Sequence, residues 1–309
     1  MSGATTVPSS VAGPPAAARA GHAAGGRRQK PLKIAAFHAI LIFASVVAAF
    51  PIIRVLGVAL RPNDRLLDPN FSLIPPDATL DAFVHVLTET DFTRWIFNSL
   101  LVASGTALLG LIIAATSAYA FSRFRFRGRG VGLTFLLTTQ LLPAAMLLVP
   151  LYIIAVTIGR ETPIELMGTY TGLVFGYSVT TVPFSVWILK GYYDTVPIEL
   201  EEAARIDGCS QLEAFWRVVL PLSTPALAIV FLFNFLTAWS EYFLARVLVS
   251  QANDLWTWPL GLQTFQQEFT TQWADLCAAS ILVSVPIVAL FLYSSRWLIS
   301  GVTLGAVKG

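Results

Sequence analysis

Six stretches of the chain stay apolar for about the 20 residues that cross a bilayer as a helix. They lie at positions 35–55, 96–121, 133–155, 171–189, 226–245 and 276–299. Because only helices and closed barrels satisfy every backbone group in lipid, the pattern predicts an all-α integral membrane protein with six transmembrane helices. One polar segment, 201–221, reads EEAARIDGCSQLEAFWRVVLP. Its first residues favour helix, Asp207-Gly208 is a turn dipeptide, and Ser210 with Glu213 three positions later makes a capping box that opens a second helix. Pro221 is expected to stop that helix before the next span.

Composition supports the membrane assignment. Hydrophobic residues make up 55% of the chain and charged residues 12%, with a mean hydropathy of +0.69; soluble domains carry about 25% charged residues. Lys and Arg mark the cytoplasmic side. Arg27, Arg28, Lys30 and Lys33 precede the first span, and Arg123, Arg125, Arg127 and Arg129 follow the second, so both termini are predicted to be cytoplasmic. Arg61, Arg65 and Arg94 in the first outer loop dilute the asymmetry. Residues 1–30, rich in Ala, Gly, Pro and Ser, read as a disordered cytoplasmic tail. Residues 31–300 form the membrane domain, with a polar loop at 191–222, and 301–309 a short cytoplasmic tail. The first apolar run exceeds a signal-peptide core and reads as a retained span.

Enzymatic chemistry finds no support in these residues. No G-x-x-x-x-G-K-[ST] phosphate loop is present, so ATP binding is not expected of this chain and energy must come from a partner. His22, His38 and His85 are scattered, without metal-ligand or triad spacing, and no metal site or catalytic residue is predicted. Cys209 and Cys277 fall on opposite sides of the membrane and cannot pair.

The 201–221 segment has the chemistry of a docking handle. Ala203 and Ala204 allow close approach, Ile206, Leu212 and Phe215 offer apolar contact, and Glu201, Glu202 and Arg205 offer orienting charge. A helix lying on the membrane surface is the competing reading, but such helices favour basic polar faces and this one is mostly acidic. Two other groups of polar residues are candidates for solute contact. Asn234, Thr237 and Glu241 share one face of a continuous fifth span, and Gln140 and Ser178, with Thr180 and Thr181, add donors in the third and fourth; lining a pathway and hydrogen-bonding between helices both remain open. After the fifth span Asn253, Asp254, Trp256, Trp258, Gln263, Gln266 and Gln267 combine aromatic faces with amides, suited to carbohydrate or a delivery protein, or to an interfacial aromatic belt.

The run Glu202-Ala203-Ala204, three residues, Gly208, nine residues, Val218-Val219-Leu220-Pro221 resembles the signature loop of ABC-importer permeases, with Val218 where that family usually has Ile. Segments 118–126 (AYAFSRFRF), 189–193 (LKGYY) and 297–309 (WLISGVTLGAVKG) extend the likeness to the smaller, six-span permease subunit of maltose/maltodextrin-type importers. Arg54 and Cys209 depart from that family's usual residues. The resemblance implies a type I permease fold in a bacterial cytoplasmic (inner) membrane. It implies a second homologous permease subunit, an ATPase dimer that holds ATP and Mg and receives Glu201, Glu202, Ala203, Ala204, Ile206, Gly208, Phe215, Leu220 and Pro221, and an extracytoplasmic sugar-binding protein. No cofactor in this chain and no nucleic acid are implied; the partners are these proteins, lipid and an oligosaccharide, either maltodextrin or another such as trehalose. An extended tail after Trp297 would reach toward the ATPase pair. A stand-alone secondary transporter is the competing class; it would call for an intramembrane ion relay, and beyond Glu241 few ionisable residues are placed to form one.

Overall fold

A computed structural model describes residues 31–62, 75–266 and 271–306. The expected disordered tail, Arg65, Gln267 and residues 307–309 lie outside the described residues. Helices account for the regular structure there, with one isolated bridge between Gln266 and Thr271. The chain divides into two compact units at Phe50/Pro51, inside helix α1 (Pro31–Ala59). In the first unit Phe37, Ile40, Ile42 and Phe43 are exposed, as for a helix that is apolar all round.

Four described helices are long and apolar enough to cross a membrane: Ala35–Ala59, Phe92–Arg123 (α3), Tyr170–Tyr193 (α6) and Trp273–Ser295 within α13 (Trp273–Ala306). They coincide with the expected first, second, fourth and sixth spans. The expected third span is not one helix. α4 (Arg129–Thr139) and α5 (Ala144–Glu161) share it, separated by residues 140–143. Pro143 takes an extended conformation there, φ −56° and ψ 132°, and lacks the N–H that would carry α4 onward. The expected fifth span also stops early. α10 (Thr224–Trp239) ends at Trp239, and α11 (Phe243–Leu248) begins after a three-residue gap. The Ser240 hydroxyl donates back to the Leu236 carbonyl at 2.9 Å, and the Glu241 carboxylate accepts the N–H groups of Leu244 and Ala245 at 3.0 and 3.1 Å. Polar side chains thus replace the helical ladder at the break. The backbone is helical through Ala306, so the extended tail expected after Trp297 is instead the end of α13.

Within the second unit α3 packs along α6 and α10. Its first half joins an apolar cluster with Tyr177, Trp239 and Phe265, and its second half joins another with Leu189, Tyr193, Phe215 and Val219. Between them lies a buried polar layer of Thr106, Thr181, Ser185 and Asn234. Ser185 donates to Asn234 Oδ1 at 2.7 Å, and a Cβ on Gly110 would come within 2.8 Å of Asn234 Nδ2. A small residue on α3 therefore lets three helices converge on one amide. α2 (Asp81–Thr88) packs on α13.

Candidate functional site: a two-helix loop

α7 (Ile198–Ile206) starts after Pro197, whose fixed φ suits a helix entrance. It ends in a Schellman arrangement: Gly208 donates to the Arg205 carbonyl at 3.1 Å and Cys209 to the Ala204 carbonyl at 3.0 Å. Gly208 has φ +96°, a conformation that a Cβ opposes. The capping box forms in full: the Ser210 hydroxyl accepts from the Glu213 N–H, and Glu213 accepts from the Ser210 N–H at 2.8 Å. α8 (Gln211–Ala214) then widens into a π-helical turn, Phe215–Val219, and closes in α9 (Leu220–Leu222). At Ser223 the chain bends by 79° into α10. The loop's second helix therefore lies nearly square to the helix it drives into.

The loop has two faces. Glu202, Ala203, Arg205, Ile206, Gly208, Leu212 and Pro221 are exposed, Ile206 at 86%, while Ala204 and Leu220 are half-buried. Glu202, Arg205, Ile206, Cys209, Ser210 and Gln211 line an open cleft of about 560 Å³. The other face is sealed. Phe215 is buried against Tyr119 and Tyr193, with ring centroids 4.6 and 6.4 Å apart. Glu201, grouped by sequence with the outward charges, is buried: Arg123 Nε donates to its Oε1 and the Tyr119 hydroxyl to its Oε2 at 2.8 Å. Arg123 Nη2 also donates to the Val196 carbonyl at 2.9 Å. Sequence reading took Arg123 as a topology signal and missed Tyr119; a pairing across 78 residues leaves no local signal.

Two carboxylates at the loop's edges are held ionised. Partial burial opposes the charge on Asp194, but hydrogen bonds from Lys190 and Ser122 outweigh it and set its pKa below the usual carboxylate range. The Ser210 N–H, then its hydroxyl and the Arg217 charge, do the same for Glu213.

Of the candidate pathway residues, Asn234 and Thr181 share the buried polar layer that faces Gly110 of α3. Asn234 faces α3 and α6, and Ser178 is buried with its hydroxyl on the Val174 carbonyl. Thr237 is half-buried and donates to the Phe233 carbonyl. Glu241 sits beyond α10, so the shared face proposed for it with Asn234 and Thr237 is absent because the helix ends first. Gln140 is exposed in the α4–α5 break and donates to the Thr180 carbonyl at 3.1 Å. In the later loop Asn253 and Asp254 are exposed, whereas Trp256 and Trp258 are half-buried against the apolar cluster. The missed organiser there is Asn98, which is buried and donates to the carbonyls of Asp254 and Trp256 at 2.8 and 2.9 Å while accepting from the Tyr170 hydroxyl at 2.7 Å. His85, to which sequence spacing gave no metal-ligand or triad role, lies 3.2 Å from buried Asp275 at the start of α13. Among the described residues no group of three or more His, Cys, Asp or Glu side chains could hold a metal.

A family model described as "Binding-protein-dependent transport system inner membrane component" matches residues 106–302. With relatives more than a third identical over most of its length, the chain belongs to this family of multi-pass inner-membrane permease components, which are not catalytic enzymes. Among its relatives is "Maltose/maltodextrin transport system permease protein MalG" of Vibrio parahaemolyticus, 36% identical over 273 residues, 84% of this chain and 90% of that one. The proteins of the same description from Yersinia pestis and Escherichia coli K12 are each 34% identical, covering 91% and 88% of this chain and 96% and 95% of theirs. A bacterial ABC transporter that imports the acidic polysaccharide alginate superposes with a TM-score of 0.73 at 22% identity, over 87% of this chain and 97% of that one. A chain from a structure of a bacterial alginate ABC transporter in complex with an alginate pentasaccharide-bound periplasmic protein gives 0.64 at 15% identity, over 86% of this chain and 93% of that one. At these identities the two structures establish the ABC-importer permease fold.

Proposed function

We propose that this chain is one of two permease subunits of an ATP-driven importer for maltose/maltodextrin-type oligosaccharides. It spans the inner membrane six times, with both termini in the cytoplasm. An ATPase dimer docks on loop 199–221, and a sugar-binding protein delivers substrate to the opposite side. The observation that carries the coupling role is the loop's division into an open face at Glu202, Arg205, Ile206 and Leu212 and a sealed face around Glu201 and Phe215. A partner's rigid-body motion, applied to the open face, reaches the helix bundle through the sealed one. The MalG relatives support the substrate class; trehalose or a related oligosaccharide would need only modest changes at the same surfaces.

Purification of the tagged chain in mild detergent tests this reading. Recovery of a second permease and an ATPase, with ATP hydrolysis stimulated by maltodextrin plus the binding protein, is expected. Glu202→Lys and Gly208→Asp should each abolish uptake while the chain still inserts. Solute flux in liposomes carrying the lone chain without ATP would replace the importer by a carrier.

A further inference from the structure

The coupling loop is joined covalently to α6 on one side and α10 on the other. Its strongest polar tie is to neither. Arg123 and Tyr119 stand on the last turns of α3, 78 and 82 residues from Glu201, yet they share its carboxylate between them. The Arg123 and Glu201 side chains are 8% and 7% exposed. Arg123 reaches on to the Val196 carbonyl, in the turn ahead of α7, and the neighbouring Ser122 hydroxyl donates to Asp194 at 2.7 Å. Phe215 of the π-helical turn lies against the Tyr119 ring. The end of α3 is thus gripped by both loop helices and by the turn between α6 and α7.

A guanidinium donating to a carboxylate in a buried setting fixes direction as well as distance, which apolar packing alone does not. The covalent exits from the loop interrupt the helices: the chain bends by 79° at Ser223, and residues 194–197 form a turn between α6 and α7, so the loop continues neither helix as a straight rod.

We propose that Arg123, Glu201 and Tyr119 are positioning residues that make α3 move as one body with the coupling loop, so that displacement applied to the loop is delivered to α3 instead of being lost at the two links. This rests on the importer reading and adds to it a second route of transmission, through space to a helix the loop is not connected to.

The test uses the complete complex in proteoliposomes with saturating binding protein and maltodextrin, and reads sugar taken up per ATP hydrolysed. Tyr119→Phe deletes one hydroxyl and keeps the ion pair; the ratio is expected to fall about threefold, the size of one lost hydrogen bond. Glu201→Gln is expected to lower it about tenfold or more, with Arg123→Lys, which keeps charge but not the fork, in between. Glu202→Gln on the open face should reduce hydrolysis and uptake together and leave the ratio alone. A purely structural role for the buried group would lower yield and both activities in proportion, and an unchanged ratio overturns the proposal. Should the charge variants fail to assemble, Tyr119→Phe decides by itself. A parent complex with no ATP-dependent uptake sinks the importer reading and this proposal together; a coupled parent with an unchanged ratio in Tyr119→Phe sinks this proposal alone.

Discussion

At one end α3 is fastened to the 199–221 loop by a buried ion pair, and at the other it is fastened to the segment after α11 by neutral groups. Arg123 and Tyr119 grip Glu201 at the first end. Asn98 takes two backbone carbonyls at the second, and the Ser99 hydroxyl accepts the Trp258 N–H at 2.8 Å. Gly261 lies so close to Trp95 that a Cβ would sit 2.0 Å from the indole. The amide satisfies irregular backbone that would otherwise be buried without partners, and so fixes a loop's shape. The ion pair fixes the direction of one element against another. Fixing a loop's shape and fixing the direction of one element against another call for different chemistry.

The comparison is broken most severely by leaving a charge without its partner. Arg123→Ala strands the Glu201 carboxylate in its buried setting and is expected to cost about 3–5 kcal/mol. Thermal melting of the detergent-solubilised complex should drop sharply, and uptake should be lost. Asn98→Ala removes no charge but orphans two carbonyls and the Tyr170 hydroxyl, for an expected cost of about 2–3 kcal/mol. Its defect should appear at the far end: stimulation of ATP hydrolysis by the binding protein weakens, while co-purification of the ATPase does not change. Equal loss of ATPase recovery in both variants would mean that the two ends are not separable.

Gly261→Ala sharpens the far-end half of the contrast. The new methyl group must displace Trp95, which is itself packed edge-on to Phe265 at 6.1 Å, and overpacking of this kind costs about 1–3 kcal/mol. Melting should fall by less than in Asn98→Ala, and sugar taken up per ATP should stay at the parent value. A changed ratio would show that the far end also transmits load.

What could be read from the sequence follows from how far apart the interacting groups lie. The capping box of Ser210 and Glu213 and the turn at Asp207-Gly208 are patterns of two to four residues, and both appear as written, the turn with Gly208 at positive φ. Four apolar runs became four helices because length and hydropathy suffice to define them. Hydropathy averaged across Pro143 and across Ser240-Glu241 hid two breaks whose residues were in plain view. The seven-residue spacing of Asn234 and Glu241 had meaning only for an unbroken helix. Arg123–Glu201, Asn98–Asp254 and His85–Asp275 join positions far apart in the chain, and no local periodicity points to them.

The smallest effect is expected at Glu213, on the loop's exposed edge. Its carboxylate accepts from the Ser210 N–H, and its folded pKa lies below the usual value. With a depressed folded pKa, the carboxylate's contribution is fully present above the unfolded pKa, about 4.3, and is lost only as pH falls through the folded value. The same sign holds for Asp194. Uptake by the parent should therefore owe nothing to either group's titration between about pH 6 and 8. Glu213→Gln, which can still accept at the cap, should keep uptake within about twofold of the parent across that window. Because solvent screens this cap while the Arg123–Glu201 pair is enclosed, Glu213→Gln and Glu201→Gln compare the same change of side chain on the loop's two faces. A loss in Glu213→Gln as large as in Glu201→Gln would place the load on the exposed edge and contradict the division of the loop into an open face that receives a partner and a sealed face that passes motion on.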